Sequence, residues 1–225
     1  MNGKKLVYSL GASLAIVAAT LSLTQAASAE TLGTSEPKQL GPPAKEVYIK
    51  DFTYAGSGCP ANSVASLFSD DRQTLELLFD QFQANLQPTK MGEAAFPPQS
   101  NCSISLKLHV PAGWSASWHR VEHRGFADTS GNANGQLRAR YYIPGAGGFD
   151  ELRVYDFPSK MVRDYTIVND AISTAQTQCS ADVPMTVTTR IRLSGNPTGY
   201  NALTVDSISK KVKTILHFRW QRCNQ

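Results

Sequence analysis

The chain has 225 residues, 22 Lys and Arg against 18 Asp and Glu, and a formal net charge of +4. So small a charge is a poor footprint for nucleic acid. Beyond the first thirty residues no apolar stretch is long enough to span a bilayer.

Lys4 and Lys5 precede an apolar stretch from Leu10 to Leu23, and Ala27-Ser28-Ala29 is a small-residue site of A-x-A type. This is the pattern of a secretory signal peptide over 1–29, which takes no part in the fold. The expected location is outside the cell, or in the periplasm or cell envelope. No cysteine stands at the cleavage site, which argues against a bacterial lipid anchor. Removal leaves 196 residues from Glu30, which suits one all-β domain with or without a tail. The remaining charge is uneven. Residues from Pro184 onward carry a net +6, and those from Glu30 to Val183 a net −4. A basic C-terminal third favours an anionic partner, unless it is simply a solvated sheet face.

Residues 30–46 are rich in Pro, Gly, Ser and Thr and read as a disordered tail or linker. A single domain is expected over 47–225. Val47 and Ile49 open it. Gly56-Ser57-Gly58-Cys59-Pro60 is a turn, and no Gly-Lys-Ser/Thr follows to make it a phosphate loop. Ser63 to Ser69 is a short strand. Gln73 to Leu86 fits both periods: Leu75, Leu77 and Phe79 alternate, while Leu75, Leu78, Phe79 and Phe82 fit a helical stripe. Its β-rich surroundings favour a strand.

The clearest strand signal lies in 101–127. Ile104, Leu106, Leu108 and Val110 alternate with Ser103, Ser105, Lys107 and His109, which puts four apolar side chains on one face. Pro111-Ala112-Gly113 breaks the run, and a second strand runs from Trp114 to Gly125. The two read as a β-hairpin. Leu137 to Ile143 alternates with Arg138 and Arg140 outward. Phe149 to Phe157 and Met161 to Val168 read as a strand pair around Pro158-Ser159. Met185 to Leu193 alternates with Arg190 and Arg192 outward. Leu203 to Ile208 and Val212 to Trp220 read as a terminal hairpin. Roughly ten strands with frequent turns and no convincing helix give an all-β fold, an antiparallel β-sandwich.

Four cysteines, Cys59, Cys102, Cys179 and Cys223, follow the leader. An even count in an exported chain implies two disulfides, with three connectivities open. The spacing is too wide for a zinc ribbon.

His119-Arg120-Val121-Glu122-His123 matches H-x-x-E-H, a zinc-protease pattern that requires a helix. On a strand the two histidines stand about 13 Å apart along the chain, so no metal site is expected. No G-x-S-x-G is present. Asp206-Ser207 with His217 on the next strand is the conceivable serine-hydrolase set. Asp70, Asp71, Glu76, Asp150 and Glu151 are the conceivable glycosidase acids, though acids in turns are first of all turn formers. Neither set amounts to a catalytic site, and no cofactor pattern is present. Trp114 and Trp118 share parity. They stack on sugar rings if their face is solvent and pack if it is core. Tyr141 is a further aromatic binding candidate. Lys211, Lys213 and Arg219 are the basic candidates, on the terminal strands, for an acidic polymer.

Several motifs occur in order: Gly56-Ser57-Gly58-Cys59-Pro60, Leu75 to Phe82, Asn101-Cys102 with the strand into Pro111-Ala112-Gly113-Trp114, and Arg124-Gly125. Thr204-Val205-Asp206-Ser207-Ile208 and Trp220-Gln221-Arg222-Cys223 complete the set. Together they resemble the secreted domain-of-unknown-function family 4360 of fungi and bacteria, over Tyr48 to Cys223. The chain departs from the family at His123, where a tyrosine would precede Arg-Gly, and this weakens a catalytic role for His123. The resemblance implies an exported, β-rich domain with disulfides Cys59–Cys102 and Cys179–Cys223, and brings no catalytic residues with it. The function expected is a non-catalytic extracellular or envelope binding module, its partner a polysaccharide or cell-surface component. A secreted hydrolase with a site assembled from distant residues, or a structural envelope protein, are the alternatives.

Overall fold

Alternation of apolar and polar residues along Leu75–Phe79, Cys102–Leu108, Leu137–Ile143 and Val183–Leu193 forces each segment to bury one face. A computed structural model shows how these faces meet; it describes residues 41–88, 97–144, 149–170, 176–205 and 213–223. The expected signal peptide lies outside that set.

The fold is an all-β antiparallel sandwich, with twelve strands and one 3-10 turn, Ala44–Glu46, among the described residues. The five-stranded sheet has the order β1 (Ile49–Ala55), β5 (Gln99–Leu108), β10 (Val183–Ser194), β7 (Asn134–Ile143), β8 (Phe149–Phe157). The seven-stranded sheet is built around β6 (Trp114–Asp128). The edge of β6 that pairs β12 (Thr214–Arg222) along 114–123 also pairs β11 (Asn201–Thr204) along 126–128, and β9 (Val162–Asp170) takes the other edge along 120–128. Beyond β12 lie β3 (Thr74–Phe79) and β2 (Val64–Phe68), and beyond β11 lies β4 (Gln83–Leu86). The ambiguous Gln73–Leu86 segment is strand, but split in two at Asp80–Phe82, which makes the strand count twelve.

Three expected strand pairings are corrected. Strands β5 and β6 do not form a hairpin: β5 pairs β1 and β10 in one sheet, and β6 belongs to the other. Pro111-Ala112-Gly113 is an arch between sheets, turned at Gly113 with φ +77°, a left-handed conformation that suits glycine. The same holds at Pro158-Ser159, where β8 and β9 sit in different sheets. Among the described residues the two terminal strands flank β6 in succession and do not pair with each other. A turn signal marks where the chain reverses, but not whether it reverses within a sheet or across the core.

Of the expected 30–46 tail, residues 41–46 are described, and they pack on the domain. Gly41 lies against the Trp220 indole, and Arg72 Nε donates to the Ala44 carbonyl at 3.0 Å.

The disulfides are Cys59–Cys102 and Cys179–Cys223. The first ties the 56–60 turn to β5. The second holds residues 176–180 against the open edge of β6, where Thr177 N donates to Ala116 O and Ser180 N to Trp114 O, both at 2.9 Å. Covering an exposed strand edge in this way satisfies its backbone groups.

Candidate ligand-binding face

The aromatic candidates belong to the core. Trp118 and Tyr141 are fully buried and Trp114 is 7% exposed. Trp114, Ala116 and Trp118 point inward by simple alternation. At His119 the register slips, with His217 opposite Arg120 and Phe218 opposite Trp118. This β-bulge resets the parity, so Val121, His123 and Ala127 also face inward. Trp114 carries the Arg222 guanidinium 4.9 Å from its ring centroid. None of the three offers a flat face to a sugar.

His123 and Tyr141 are instead parts of a polar chain through the core. Asn169 Nδ2 donates to the Tyr141 hydroxyl at 2.7 Å, so the phenol proton points to His123 Nε2 at 2.6 Å. His123 then carries its own proton on Nδ1, 3.0 Å from Thr214 Oγ1. Tyr155 donates to Asn169 Oδ1. Burial holds the His123 imidazole neutral, its pKa lowered to about 4. The chain links residues of both sheets, and its chemistry is that of a satisfied buried network.

The basic candidates lie apart from these aromatics. Lys211 is outside the described residues. Lys213 is ion-paired with Glu76. Arg219 is exposed on the outward face of the seven-stranded sheet, opposite Ser117. That face is largely self-neutralised. Arg120 pairs with Asp170 at 2.6 Å, and Glu122 accepts from Arg124 at 2.7 Å and lies 3.1 Å from His217 Nε2. Burial pushes the Glu122 carboxyl up, but Arg124 and His217 outweigh it and hold it below the usual range.

The outward face of the five-stranded sheet is different. Strand register fixes its side chains in a grid whose rows run across β5, β10, β7 and β8. One row is Gln99, Arg192, Gln136, Asp156. The next is Asn101, Arg190, Arg138, Val154. Then come Ser103, Thr188, Arg140, Leu152, and then Ser105, Thr186, Tyr142, Asp150. Arg138 and Arg190 are direct cross-strand partners, so their Cβ atoms stand about 5 Å apart.

Three strips result. Ser103, Thr188, Ser105 and Thr186 form a hydroxyl strip, paired as Ser103–Thr188 at 2.9 Å and Ser105–Thr186 at 3.1 Å. Tyr142, Leu152 and Val154 form an exposed apolar strip, with Leu152 57% exposed. Arg140 stands between them, and from it the arginines continue away from the hydroxyls through Arg138 and Arg190 to Arg192, with Val154 beside Arg138 and the amides of Asn101, Gln99 and Gln136 flanking the rest. Arg140 is neutralised by Asp150, with Nε 2.7 Å from Oδ1, and that bond holds the Asp150 carboxyl below its usual range.

Among the described residues the other three guanidinium groups have no ion pair. Amides hold two of them: Arg138 Nε donates to Gln136 Oε1 and Arg190 donates to Gln99 Oε1, both at 2.6 Å. The carboxylate nearest in register, Asp156, accepts from Gln136 at 2.7 Å. Gln136, Arg138, Arg190 and Arg192 line a cleft of about 50 Å³. Amide partners orient a guanidinium without cancelling its charge, and each arginine has five N–H donors. The arrangement can take an anionic group from solvent. Sequence reading placed Arg138 and Arg190 outward but could not place them together, because they are 52 residues apart and only the β7–β10 register joins them.

Comparison with solved structures gives weak likenesses. One is to the carbohydrate-binding module TmCBM61 in complex with β-1,4-galactotriose, with TM-score 0.28 and 11% identity, over 77% of this chain and 90% of that one. Another is to a family 11 carbohydrate-binding module from Clostridium thermocellum in complex with a β-1,3-1,4-mixed-linked tetrasaccharide, with TM-score 0.24 and 9% identity, over 76% and 95% of the two chains. Such scores bring no ligand to this chain. In sequence, the chain is 31% identical over 187 residues to an uncharacterized secreted protein of Arthroderma benhamiae, covering 81% of this chain and 74% of that one. Residues 45–223 match the family described as domain of unknown function DUF4360, and the chain belongs to that family.

Proposed function

We propose that this chain is an exported, non-catalytic binding module, which takes a glycan or another surface ligand outside the cell or at the cell envelope. The observation that supports it is the outward face of the five-stranded sheet, where a hydroxyl patch, a line of arginines and an exposed apolar strip adjoin one another. Apolar side chains such as Tyr142 and Leu152 cover the apolar faces of sugar rings, and the flanking polar groups reach their substituents. The leader over 1–29 and two disulfides suit an oxidising, extracellular setting. The test is retention of Glu30–Gln225 on neutral and acidic polysaccharides and on isolated envelope material. Retention weakened by Tyr142→Ala with Leu152→Ala supports the module and its face; no retention on any support sinks both.

A second reading is a hydrolase centred on His217, favoured by the Glu122 carboxylate 3.1 Å from its Nε2, the contact that orients a general base. Asp206 and Ser207, the partners expected from sequence, lie outside the described residues. Ester, peptide and glycoside hydrolysis, assayed with and without His217→Ala, decides it.

A further inference from the structure

We infer that the ligand of this face is a linear anionic glycan, and that Arg138, Arg190 and Arg192 bind its carboxylate or sulfate groups. The inference rests on the binding-module reading and narrows it to a ligand class.

Two arginines opposite each other on neighbouring strands repel, and a sheet tolerates such a pair only at some cost. Several surface cations are answered by carboxylates, Lys50 by Asp182, Arg120 by Asp170, Arg124 by Glu122 and Arg140 by Asp150. Single ones such as Arg163 and Arg219 have no ion pair among the described residues. What sets Arg138 and Arg190 apart is that two such cations face each other. At Arg138 and Arg190 the partners are glutamine carbonyls. Each amide uses one donor, and among the described residues the rest of each guanidinium edge has no hydrogen-bond partner. A bidentate oxyanion is the complement of that edge. Arg192 stands one row away in the same cleft, on the Gln136 side.

The hydroxyl and apolar patches that adjoin these arginines on the same face argue for a glycan over a small anion. Successive rows along a strand are about 6.6 Å apart, so Arg192 in one row and the Arg190–Arg138 pair in the next can meet two charges of a polymer. Hydroxyls on the β5–β10 side offer donors and acceptors, and Tyr142, Leu152 and Val154 offer an apolar floor. No charge transfer or bond cleavage is implied.

The test uses matched supports that differ only in charge: polygalacturonate against its carboxyl-reduced form, and dextran sulfate against dextran. Affinity electrophoresis of Glu30–Gln225 is run across a salt series on wild type, on Arg138→Gln/Arg190→Gln, and on Lys160→Gln/Arg163→Gln, which removes the same charge elsewhere. Near-ultraviolet circular dichroism checks that each variant is folded. The expected result is retention on one or both anionic supports, fading as salt rises. Arg138→Gln/Arg190→Gln should weaken it by about tenfold or more, and the control variant should leave it within about twofold. The preferred anion then separates carboxylate from sulfate. Equal retention on charged and uncharged supports, or equal weakening by both double variants, overturns the anionic inference while the binding module stands. Retention on none of the four supports overturns the inference, and the envelope arm above then decides the module separately.

Discussion

The Tyr141 hydroxyl stands 2.6 Å from Nε2 of His123, and the bond crosses the core from β7 of one sheet to β6 of the other. Tyr141→Phe removes it and leaves two buried groups, His123 Nε2 and Asn169 Nδ2, without a partner. Each such group costs about 1–3 kcal/mol. The variant should lose about 2–3 kcal/mol, read as a lower urea midpoint with an unchanged slope. A loss below about 0.5 kcal/mol would mean that the chain rearranges around the missing hydroxyl.

The same histidine gives stability a pH dependence. Its folded pKa is lowered from 6.5 to about 4 by burial. Between those values the unfolded state binds a proton that the native state refuses, so stability rises with pH. The contribution is complete above pH 6.5, falls by about 1.4 kcal/mol per unit below it, and levels off near pH 4. The carboxylates held low by partners, Asp71, Asp150 and Asp182 among them, begin to act only toward the acid end of that window. Urea midpoints taken from pH 7 to pH 4.5 should therefore fall in wild type and fall less in His123→Gln, where a slope of the same sign remains from His119, whose pKa burial also lowers. A slope undiminished in the variant would assign the effect elsewhere.

How much of this could be read from the sequence varied with the range of the interaction. Ile104, Leu106 and Leu108 alternate strictly, and local sterics alone fix their shared face. Whether Pro111-Ala112-Gly113 closes a hairpin or bridges two sheets depends on which strands compete for β5, and those, β1 and β10, are distant in the chain. The bulge at His119 was equally hidden, since it arises from pairing with β12 and then shifts the parity of every later residue of β6. Trp114 and Trp118 were legible as a pair with one orientation, but their choice of core over solvent needed the second sheet. The arginine strip joins two Arg-x-Arg segments that each looked like an ordinary solvated edge.

Gly125 of the Arg-Gly motif answers to packing. The Tyr165 ring crosses over it to reach β11, its hydroxyl 2.6 Å from the Thr204 carbonyl. A methyl group at Gly125 would collide with that carbonyl and with the ring. Backbone on one side cannot yield, so Gly125→Ala should cost about 3 kcal/mol or more. Thermal unfolding measures it. Adding Tyr165→Ala frees part of the space, and the double variant should be less damaged than the two single losses added together.

The Cys179–Cys223 bridge closes 44 residues and holds Thr177 and Ser180 on the edge of β6. Replacing both cysteines by serine should cost about 4 kcal/mol in the chain-entropy account. The loss should have an address as well as a size. Hydrogen exchange at Ala116 N–H, bonded to Thr177 Oγ1 at 2.9 Å, should accelerate more than at Leu106 N–H in the middle of the other sheet. Uniform acceleration would show that the bridge stabilises the whole domain without guarding that edge.

The arginine strip separates stability from binding in a way that a merely solvated face does not. If Arg138 and Arg190 are held together against their repulsion, removing one charge relieves the pair. Arg138→Gln should then leave the unbound protein as stable as wild type or more stable, by about 0.2–1 kcal/mol at low salt, with the gain shrinking as salt screens the charges. The same substitution should weaken retention on whichever anionic polymer the protein takes. A destabilised variant would mean instead that Arg138 serves the sheet, through the Gln136 amide that it engages at 2.6 Å, and the case for a ligand at this cleft would lose its physical ground.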